Sequence, residues 1–574
     1  MQSSNQEIAN LFRRLATLLE IDEQNPFRVR AYRNAAETIE ALSVPLARLV
    51  DEGVDLTEYP HIGREIAQMI ATVVETGHLP ALDEVARRVP PELADLMDVR
   101  GLGAKGVKAL HDHFNLTSLD DLERAAREGR VRELSGFGPR KEEALLEGIR
   151  ELRARPHQRT RGVDAERVAE PLREYLTAVA GVERVEIAGS YRRRCETVGD
   201  LDLLVACSDG EAVMAALVAY PDIERVVSHG ATRSTVVLAG GLQVDVRAVE
   251  AGSFGAALLY FTGAKQHNVA LRQRAVDRGL KLNEYGLFEG ERNLAGADEV
   301  DVYRALDLAW IPPELREDHG EIDAAAEGML PALITVEAVR GNLHAHTTWS
   351  DGKQSLEEMV DAARARGYEY LAITDHGPAV RVANGLTPDR LRAQLDEVAA
   401  LDERLDDITL LTGCEVDILA DGTLDLPDDV LARLDVVVCS IHYHLRQSRE
   451  AQTERVLRAL DNPHFMIWGH PTARDINRRA PIDIDLERCL AAAAERGVVV
   501  EINAQPKRLD LSDRNARLAL DMGCRLSINT DAHRDIHFDF LRFGVDQARR
   551  AGATAADVIN TLDVADLRRM LRSG

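Results

Sequence analysis

Residues 341–351 read Gly-Asn-Leu-His-Ala-His-Thr-Thr-Trp-Ser-Asp. The two histidines of this stretch alternate, so on a β-strand both side chains point to one face, as a metal pair requires. Further acidic residues and histidines occur later in the chain in small groups, each of which comes just after an apolar run. An ordinary core does not need nine such groups, whereas a polynuclear metal site does. The nine are His344, His346, Asp351, His376, Glu415, His442, His470, Asp531 and His533.

The same half of the chain alternates strand-like and helix-like patterns. Seven strand candidates end at His344, Thr374, Glu415, Ser440, Trp468, Glu501 and Asn529. This regular alternation over residues 339–574 predicts a barrel of seven βα units. Active sites of βα barrels lie at the carboxyl ends of the strands, which is where the nine groups fall.

A second acidic cluster lies in the first half of the chain. Residues 189–202 read Gly-Ser-Tyr-Arg-Arg-Arg-Cys-Glu-Thr-Val-Gly-Asp-Leu-Asp. Asp200 and Asp202 are two apart on a predicted strand, so their carboxylates share a face, and Asp245 can join them from a neighbouring strand. Three close carboxylates are costly without cations between them and predict two Mg²⁺ or Mn²⁺ ions. Gly189 and Ser190 open a turn into a helix, and Arg193 supplies charge for phosphates.

Three short segments before this cluster share a turn signature. They are residues 59–63, 99–103 and 134–138, and each precedes an apolar helical pattern. Glycines permit a tight turn that presents backbone N–H groups at a helix N-terminus, a geometry that binds phosphate without net positive charge. Three copies favour sequence-independent binding of the DNA backbone. The glycines predicted to contact it are Gly63, Gly101, Gly103, Gly136 and Gly138.

Composition narrows the class of protein. The 574 residues carry a net charge of −26, which argues against simple electrostatic binding of nucleic acid, so DNA contacts must come from local features. The six cysteines show no CxxC pairing, which argues against a zinc ribbon or a disulfide framework. The apolar runs are too short to span a bilayer, and no signal peptide pattern opens the sequence. We therefore expect a cytoplasmic protein without membrane contact. No long heptad or apolar seam is evident in the sequence, so we also expect a monomer.

Residues 1–315 resemble family X DNA polymerases and are similar to polymerase beta. The resemblance rests on the three aspartates and the Gly189-Ser190 turn, and extends to Tyr260-Phe261-Thr262-Gly263 and beyond. It implies that Tyr260, Phe261 and Gly263 lie beside the incoming nucleotide, and that Asn268 contacts its base edge. It also implies that Arg272 contacts the templating base and that Arg247 controls the positions of Asp200 and Asp202.

The sequence departs from this family at two places. Val198 stands where the family has a serine that binds triphosphate, which puts that contact in doubt. Residues 1–80 resemble the family's lyase domain but contain no lysine, and Glu65 and Met69 occupy positions where lyases place lysines. A Schiff-base lyase needs a desolvated amine. The sequence therefore predicts that 5′-deoxyribose-phosphate lyase activity is absent or weak.

Residues 339–574 resemble a PHP (polymerase and histidinol phosphatase) domain. The resemblance implies three divalent metals, of which Mn²⁺, Zn²⁺ and Fe all suit the mixed nitrogen and oxygen ligands. The first metal takes His344, His346, Glu415 and Asp531; the second takes His442 and His470 with Glu415 bridging; the third takes Asp351, His376 and His533.

The sequence thus predicts a multidomain enzyme. Its domains are a lyase-like helix-hairpin-helix domain (1–80), a helix-hairpin-helix DNA-binding domain (81–155), an α/β nucleotidyltransferase palm (156–255), a subdomain contacting nucleotide and template (256–315), a linker (316–338) and a distorted (βα)7 PHP barrel (339–574). The resemblance implies a DNA-directed DNA polymerase that fills short gaps in base excision repair. Its substrates are dNTPs and the 3′ ends of gapped or nicked duplex DNA.

The PHP domain is expected to act as a 3′-5′ exodeoxyribonuclease, with 3′-phosphatase or apurinic-site endonuclease activity as further expectations. Two alternatives stay open from the sequence. In one, the PHP domain is a small-molecule phosphoesterase attached to a polymerase. In the other, the chain is a DNA-binding scaffold with a vestigial polymerase site.

Overall fold

The computed structural model describes residues 5–41, 46–51, 53–97, 99, 102–134, 136–154 and 159–573. The chain divides into two compact units, Met1–His157 and Gln158–Gly574. Within the described residues, none of the helices combines the length and the apolar content that a bilayer crossing requires.

The first unit is built from helices in its described part. Leu15, Leu18 and Leu19 keep helical spacing on the first helix and are buried together with Phe12, as the amphipathic pattern predicts. The helices are α1 Asn5–Ile21, α2 Pro26–Ala41, α3 Leu46–Asp51, α4 Arg64–Thr76, α5 Pro80–Ala86, α6 Leu93–Leu96, α7 Ala104–Phe114, α8 Leu119–Arg127 and α9 Pro139–Ala154.

The second unit begins with an α/β module. Its elements are β1 Thr160–Arg161, α10 Gly162–Thr177, β2 Val182–Ile187, α11 Gly189–Arg192, β3 Thr197–Val198, β4 Asp200–Cys207, α12 Gly210–Val218, β5 Ile223–His229, β6 Arg233–Leu238 and β7 Gln243–Val249. Five strands form one sheet in the order β2-β4-β7-β6-β5, in which only the β4–β7 pair is parallel. The sequence did not predict β5, because this edge strand is mostly exposed and has no alternation of apolar and polar residues.

A smaller module follows the sheet. Its elements are α13 Phe254–Thr262, α14 Lys265–Asp277, β8 Lys281–Asn283, β9 Gly286–Glu289, β10 Arg292–Ala295, α15 Glu299–Ala305 and α16 Glu321–Glu327. The strands form an antiparallel sheet, and α16 lies in the segment predicted as a linker, residues 316–338. That connection is packed, since Arg316 and Ala325 are buried in it.

The rest of the second unit alternates strands and helices. They are β11 Gly341–Asn342, α17 Leu356–Ala365, β12 Tyr370–Ile373, α18 Pro388–Asp402, β13 Thr409–Asp417, α19 Asp428–Leu431, β14 Val436–Ser440, α20 Arg449–Leu460, β15 Ile467–Trp468, α21 Leu486–Glu495, β16 Val499–Asn503, α22 Asp513–Asp521, β17 Leu526–Asn529, α23 Leu541–Arg550 and α24 Val564–Ser573.

These strands confirm the predicted seven-unit barrel. Each strand from β11 to β17 pairs in parallel with the next one along the chain. The barrel nearly closes where His346 N donates to the carbonyl of Ala532 over 2.8 Å, directly beyond the first and last strands. Their carboxyl ends therefore meet around one opening, which positions the groups that follow the strands.

Candidate active sites

The three predicted hairpins share one backbone hydrogen bond between described residues. In each, an N–H donates to the carbonyl three residues earlier: Ile62 to Tyr59 (3.2 Å), Leu102 to Val99 (3.0 Å) and Phe137 to Leu134 (2.9 Å). The next residue in each case, Gly63, Gly103 or Gly138, precedes the first residue of a helix. The shared turn presents the first N–H groups of α4, α7 and α9.

The glycines of these hairpins leave their surface open. A Cβ at Gly63, Gly103, Gly136 or Gly138 would meet no atom within 4 Å. Gly136 has φ +86, and His61 adopts the corresponding left-handed conformation with φ 62. His61 thus makes the turn that a glycine makes in the third hairpin, although a side chain rarely adopts it. Gly101 lies outside the described residues.

The lyase-like surface of the first unit holds an acid, Glu65, at a position where lyases of the family that it resembles place a lysine. Tyr32 Oη donates to Glu65 Oε1 over 3.3 Å, and Arg28 Nη2 lies 3.6 Å from the same oxygen. These three side chains and His61 line one open pocket. In this pocket the Arg28 guanidinium and the Tyr32 hydroxyl are thus directed at the Glu65 carboxylate.

The two aspartates of the sheet that lie deepest are paired by strand register. Asp202 on β4 lies opposite Asp245 on β7, and these strands are parallel. Asp200, two residues before Asp202, is at the exposed start of β4. Within the described residues, groups of three ligands whose atoms lie within 4.8 Å of one another occur only in the barrel, so this triad is more open.

Hydrogen bonds hold Asp245. Thr235 Oγ1 donates to Asp245 Oδ1 (2.6 Å), Gln243 Nε2 donates to Oδ2 (3.0 Å) and Arg233 Nη2 reaches Oδ1 (3.3 Å). Burial opposes ionisation of this carboxyl, but the three donors outweigh it and lower its pKa. Asp245 is thus a fixed anion at the floor of the cluster.

Asp202 has the opposite electrostatic character. Burial, together with the charges of Asp200 and Asp245, raises its pKa to about 7, although Arg247 and Arg193 oppose the shift. The ionised carboxylates of this cluster repel one another. Divalent cations bound between them would offset that repulsion. The donor set, three carboxylates, fits Mg²⁺ or Mn²⁺.

The Gly189 turn lies directly against this cluster. Gly189 has φ +63 and begins α11, with Ser190 half-buried behind it. Arg193 ends the turn, where its Nη1 donates to the carbonyl of Thr262 over 2.8 Å and its Nε donates to Glu317 Oε1 over 2.9 Å. Val198 is fully buried, so it offers no contact to a phosphate.

The residues implied to contact nucleotide and template gather around the end of α13. Tyr260 and Phe261 pack edge to face with ring centroids 5.1 Å apart, and Arg247 lies 4.5 Å from the Phe261 ring centroid. Asn268 Nδ2 donates to the carbonyls of Tyr260 (2.7 Å) and Gly263 (3.1 Å).

Two polar atoms in this region have no partner. In the described part of the chain, the buried Asn268 Oδ1 and Arg247 Nε lack a hydrogen bond. Arg272 Nε donates to the carbonyl of Asn268, one turn earlier on α14. A bound nucleotide could supply hydrogen-bond partners for Asn268 Oδ1 and Arg247 Nε, since buried polar atoms are normally hydrogen-bonded.

All nine predicted ligands of the barrel converge at the carboxyl ends of its strands. Three groups of side chains place ligand atoms within 4.8 Å of one another: His344 with His346 and Asp531; His376 with Glu415 and His442; and His346 with Asp351, His376 and His533. His470 joins through Nε2, which lies 2.8 Å from Glu415 Oε1. The groups share members, as expected for adjacent metals.

The separations between these ligand atoms fit shared metal ions. His346 Nε2 lies 3.1 Å from Asp531 Oδ1 and 3.5 Å from Glu415 Oε2, and His344 Nε2 lies 3.4 Å from the latter. Ligands with bonds of about 2.1 Å at tetrahedral angles are about 3.4 Å apart. Buried ring nitrogens of His344 and His346 also lack hydrogen-bond partners within the described residues.

In the barrel site, carboxylates and imidazoles lie side by side and shift each other's pKa. Glu415 is buried, yet the histidines around it, His376 and His442 foremost, hold its pKa well below the ordinary value. Burial also opposes the charge of His442, but Glu415 and Asp417 raise its pKa to about 9. His470 (φ 27) and Asp531 (φ 48) adopt strained backbone conformations, which the surrounding structure must hold in place.

Supporting residues that the sequence did not single out orient the histidines. Glu501 Oε1 lies 2.8 Å from His344 Nδ1, and Asp417 Oδ1 lies 3.0 Å from His442 Nδ1. Each contact leaves Nε2 of the histidine directed at Glu415 among the other predicted ligands. Asp417 could have been found from its position two residues after Glu415 on one strand, since it shares that face.

Cations line the same cavity. Lys353, Lys507, Arg508 and Arg534 surround the opening. Arg508 Nε is buried without a hydrogen-bond partner among the described residues, 4.0 Å from Asp531 Oδ2. Burial and Arg508 lower the pKa of Lys507. These side chains offer an anionic substrate several donors beside the metal ligands.

Family models match the chain in segments. A Helix-hairpin-helix domain matches residues 3–79, a SAM-like Helix-hairpin-helix tandem matches 93–151, the DNA polymerase beta palm matches 163–248, the DNA polymerase beta thumb matches 257–317 and the PHP domain matches 342–505. Together with the geometry of the two sites, these matches define a polymerase beta-type nucleotidyltransferase joined to a PHP metal-dependent domain.

Curated relatives extend this likeness to the whole chain. The DNA polymerase/3′-5′ exonuclease PolX of Bacillus subtilis (strain 168) is 35% identical over 570 residues, 99% of each chain. The chain belongs to the PolX family of DNA polymerases. The barrel alone resembles the probable phosphatase Teth514_1060 of Thermoanaerobacter sp. (strain X514), 32% identical over 242 residues that cover 40% of this chain and 93% of the relative.

Proposed function

We propose that this protein extends DNA 3′ ends at the aspartate triad and hydrolyses them at the barrel. The observation that carries the proposal is the presence, within one folded unit, of two separate ligand sets of different chemistry. The PolX relative, similar over its whole length, carries both activities in its name. The substrates are dNTPs and DNA with accessible 3′ ends.

At the polymerase site, Asp200, Asp202 and Asp245 hold two Mg²⁺ or Mn²⁺ ions. When bound, such ions activate the primer hydroxyl and stabilise the leaving pyrophosphate. Ser190 and Arg193 bind the triphosphate, and Gly189 lets the chain approach it closely. The Tyr260–Gly263 turn packs against the nucleotide, while Asn268 and Arg272 contact the base pair. Arg247 controls whether Asp202 is in position to bind metal.

At the barrel site, the nine ligands hold three divalent metals, for which Mn²⁺, Zn²⁺ and Fe are all suitable. When bound, the metals supply a nucleophilic hydroxide and neutralise the phosphodiester. Lys507 and Arg508 bind the phosphate from the open side. The reaction releases 3′-terminal nucleotides, and the same chemistry extends to 3′-phosphates and apurinic sites.

The two reactions serve one repair step. A damaged or blocked 3′ end cannot be extended until a free hydroxyl is restored, and the barrel makes that hydroxyl. The hairpins at Gly63, Gly103 and Gly138 bind the backbone of gapped duplex DNA through helix N-termini, which an acidic protein requires. We place the protein in short-gap filling during base excision repair.

The test uses a 5′-labelled primer on a one-nucleotide gapped duplex, with Mg²⁺ or Mn²⁺, with and without dNTPs. We expect Asp202→Ala to lose extension but keep shortening, and His344→Ala to lose shortening but keep extension. Shortening that survives His344→Ala would show that the barrel is not the nuclease. Extension that survives Asp202→Ala would show that the aspartate triad is not the polymerase site, and a wild type that does not extend the primer would leave the chain as a DNA-binding scaffold with a vestigial polymerase site.

The likeness of the barrel to probable phosphatases favours a second candidate, a small-molecule phosphoesterase. Hydrolysis of a nucleoside monophosphate and of a single-stranded DNA 3′ end, compared for the wild type and His344→Ala, separates the two. We expect the DNA end to be the better substrate, because the cations at the cavity can bind more than one phosphate. Preference for the monoester would reverse this assignment.

A further inference from the structure

Arg193, proposed above to bind the triphosphate, is held by two acceptors. Its Nη1 donates to the carbonyl of Thr262, and its Nε donates to Glu317 Oε1. Among the described residues its Nη2 has no hydrogen-bond partner. Thr262 belongs to the turn beside the nucleotide, but Glu317 lies in the connection between the polymerase module and the barrel. The orientation of the guanidinium therefore depends on what fixes Glu317.

Glu317 is fixed by the barrel. Arg550, the last residue of α23, donates from Nη2 to Glu317 Oε1 over 3.0 Å. Its Nη1 donates to the backbone carbonyl of Arg193 itself over 2.7 Å, and its Nε donates to Asp513 on α22 over 2.8 Å. One barrel arginine thus binds both the main chain and the counter-ion of Arg193.

This network is poorly exposed to solvent. The side chains of Arg550, Arg193 and Glu317 are 8%, 14% and 21% exposed. Water and salt screen such partly buried contacts less than surface ion pairs, so the geometry is held more strongly. A guanidinium whose acceptors are fixed in advance loses less freedom when it binds phosphate.

We propose that Arg550 is a positioning residue for nucleotide binding, which acts through Glu317 on Arg193 and makes the PHP barrel part of the polymerase's dNTP site. The inference rests on the proposed function, since it requires Arg193 to bind the triphosphate. It goes beyond that function because it assigns the barrel a role in polymerisation that its own chemistry does not need.

The same helix supplies a matched control. Arg542 on α23 makes a two-pronged contact with Glu166 on α10, with both distances 2.6 Å, and it does not contact Glu317. Arg542→Met therefore removes a contact between the palm and the barrel without touching the acceptors of Arg193. If Arg550 only held the modules together, Arg542→Met and Arg550→Met would change KM for dNTP to the same extent.

The experiment measures kcat and KM for dNTP during one-nucleotide gap filling by the full-length chain. We expect Arg550→Met and Glu317→Gln to raise KM for dNTP on the order of tenfold with a smaller change in kcat. Arg542→Met should leave KM unchanged. In an Arg193→Gln background, which raises KM by itself, Arg550→Met should add little, because the residue through which it acts is gone.

Melting curves and 3′ shortening activity report whether each variant folds. If Arg550→Met does not fold, Glu317→Gln alone must still raise KM. Equal effects of Arg542→Met and Arg550→Met, or a full additional effect of Arg550→Met on top of Arg193→Gln, would overturn the proposal. An unchanged KM in Arg193→Gln would overturn it too, and would locate the failure in the proposed role of Arg193. Absence of incorporation by the wild type would instead overturn the proposed polymerase function.

Discussion

Gly189 and Asp202 approach so closely that no side chain fits between them. A Cβ at residue 189 would lie 2.5 Å from Asp202 Oδ2, and Gly189 has φ +63, a conformation that other residues rarely adopt. The turn that begins α11 thus packs directly against the Asp202 carboxylate. Glycine at this position is required by the close approach of the Asp202 carboxylate, proposed above to bind metal, as well as by the backbone.

Gly189→Ala should strongly reduce polymerisation without unfolding the protein. The added methyl would displace the Asp202 carboxylate, and we expect incorporation to fall on the order of a hundredfold, comparable to loss of a catalytic contact. Primer extension on gapped DNA measures the loss, and 3′ shortening by the barrel should be unchanged. Gly252→Ala is the control, because a Cβ at Gly252 meets no atom within 4 Å. Normal extension by Gly189→Ala would refute the close packing.

Glu501→Gln should weaken metal binding in the barrel. The Glu501 carboxylate is near His344 Nδ1 and accepts hydrogen bonds from His470 N (2.8 Å) and Asn529 Nδ2 (3.0 Å). The amide N–H groups of a glutamine would face the N–H donors of His470 and Asn529. We expect metal retention and 3′ shortening to fall about 10–100-fold.

Metal content after dialysis against a weak chelator measures this effect, with primer extension as the internal reference. Asp407→Asn, which removes an exposed contact with Arg364 elsewhere in the barrel, should retain metal like the wild type. Full retention by Glu501→Gln would mean that the contact with His344 does not orient that ligand.

Gly103→Asp separates DNA binding from stability at a hairpin. Gly103 is the N-cap of α7 with extended dihedrals, a position where aspartate is favoured and its charge suits the helix dipole. The melting temperature should therefore stay the same or rise. A carboxylate at the helix N-terminus would repel a DNA phosphate, so affinity for gapped duplex should fall severalfold.

Fluorescence anisotropy with labelled gapped DNA measures that affinity. Ser118→Asp is the control, since it adds the same charge at the N-cap of α8, outside the hairpins. If both variants bind DNA equally well, this hairpin does not contact the backbone.

Much of the fold could be predicted because its patterns are local. The seven strands of the barrel are short apolar runs followed by ligands, and the structure has seven strands there, with β14 ending at Ser440 and β17 at Asn529 as predicted. The exposed edge strand β5 and the small sheet β8–β10 were missed. Their residues are mostly polar or exposed, so the sequence lacks the alternation that a buried face imposes.

Contacts between distant segments could not be predicted. Asp417 lies two residues after Glu415, and this position suggests it as a neighbour of the predicted metal site. In contrast, no local pattern connects Arg550 with Glu317, which is 233 residues away in the sequence. Such a pair depends on how the barrel packs against the polymerase module. The sequence therefore located the candidate ligands, while the contacts of Glu501 with His344 and of Arg550 with Glu317 required the structure.

The absence of lysine from residues 1–80 has a measurable consequence. Borohydride should trap no covalent adduct between residues 1–80 and a 5′-deoxyribose-phosphate end, since Glu65 stands where an amine was needed and Tyr32 donates to it. Glu65→Lys provides the contrast, and mass spectrometry of the trapped peptide identifies the residue. An adduct on this segment in the wild type would contradict the expectation.

Glu299→Gln should reveal a pH-dependent contribution to stability. Glu299 is buried, and Arg192 (2.7 Å) and Arg316 (2.6 Å) donate to its carboxylate. Burial opposes its charge, but these arginines lower its pKa from 4.5 to about 2. A lowered pKa in the folded state means that the stabilisation is full above about pH 4.5 and is lost as the pH falls toward 2.

The lowered pKa of Glu299 corresponds to about 3 kcal/mol of folding free energy at neutral pH. Thermal unfolding of the wild type and Glu299→Gln should therefore differ most above pH 5, and the two curves should converge as the pH falls below 4. Asp301→Asn lies on the same helix and removes only an exposed contact with Arg304, so it should follow the wild type at every pH. A difference between wild type and Glu299→Gln that stays constant down to pH 3 would show that Glu299 stabilises the fold by packing and not by its charge.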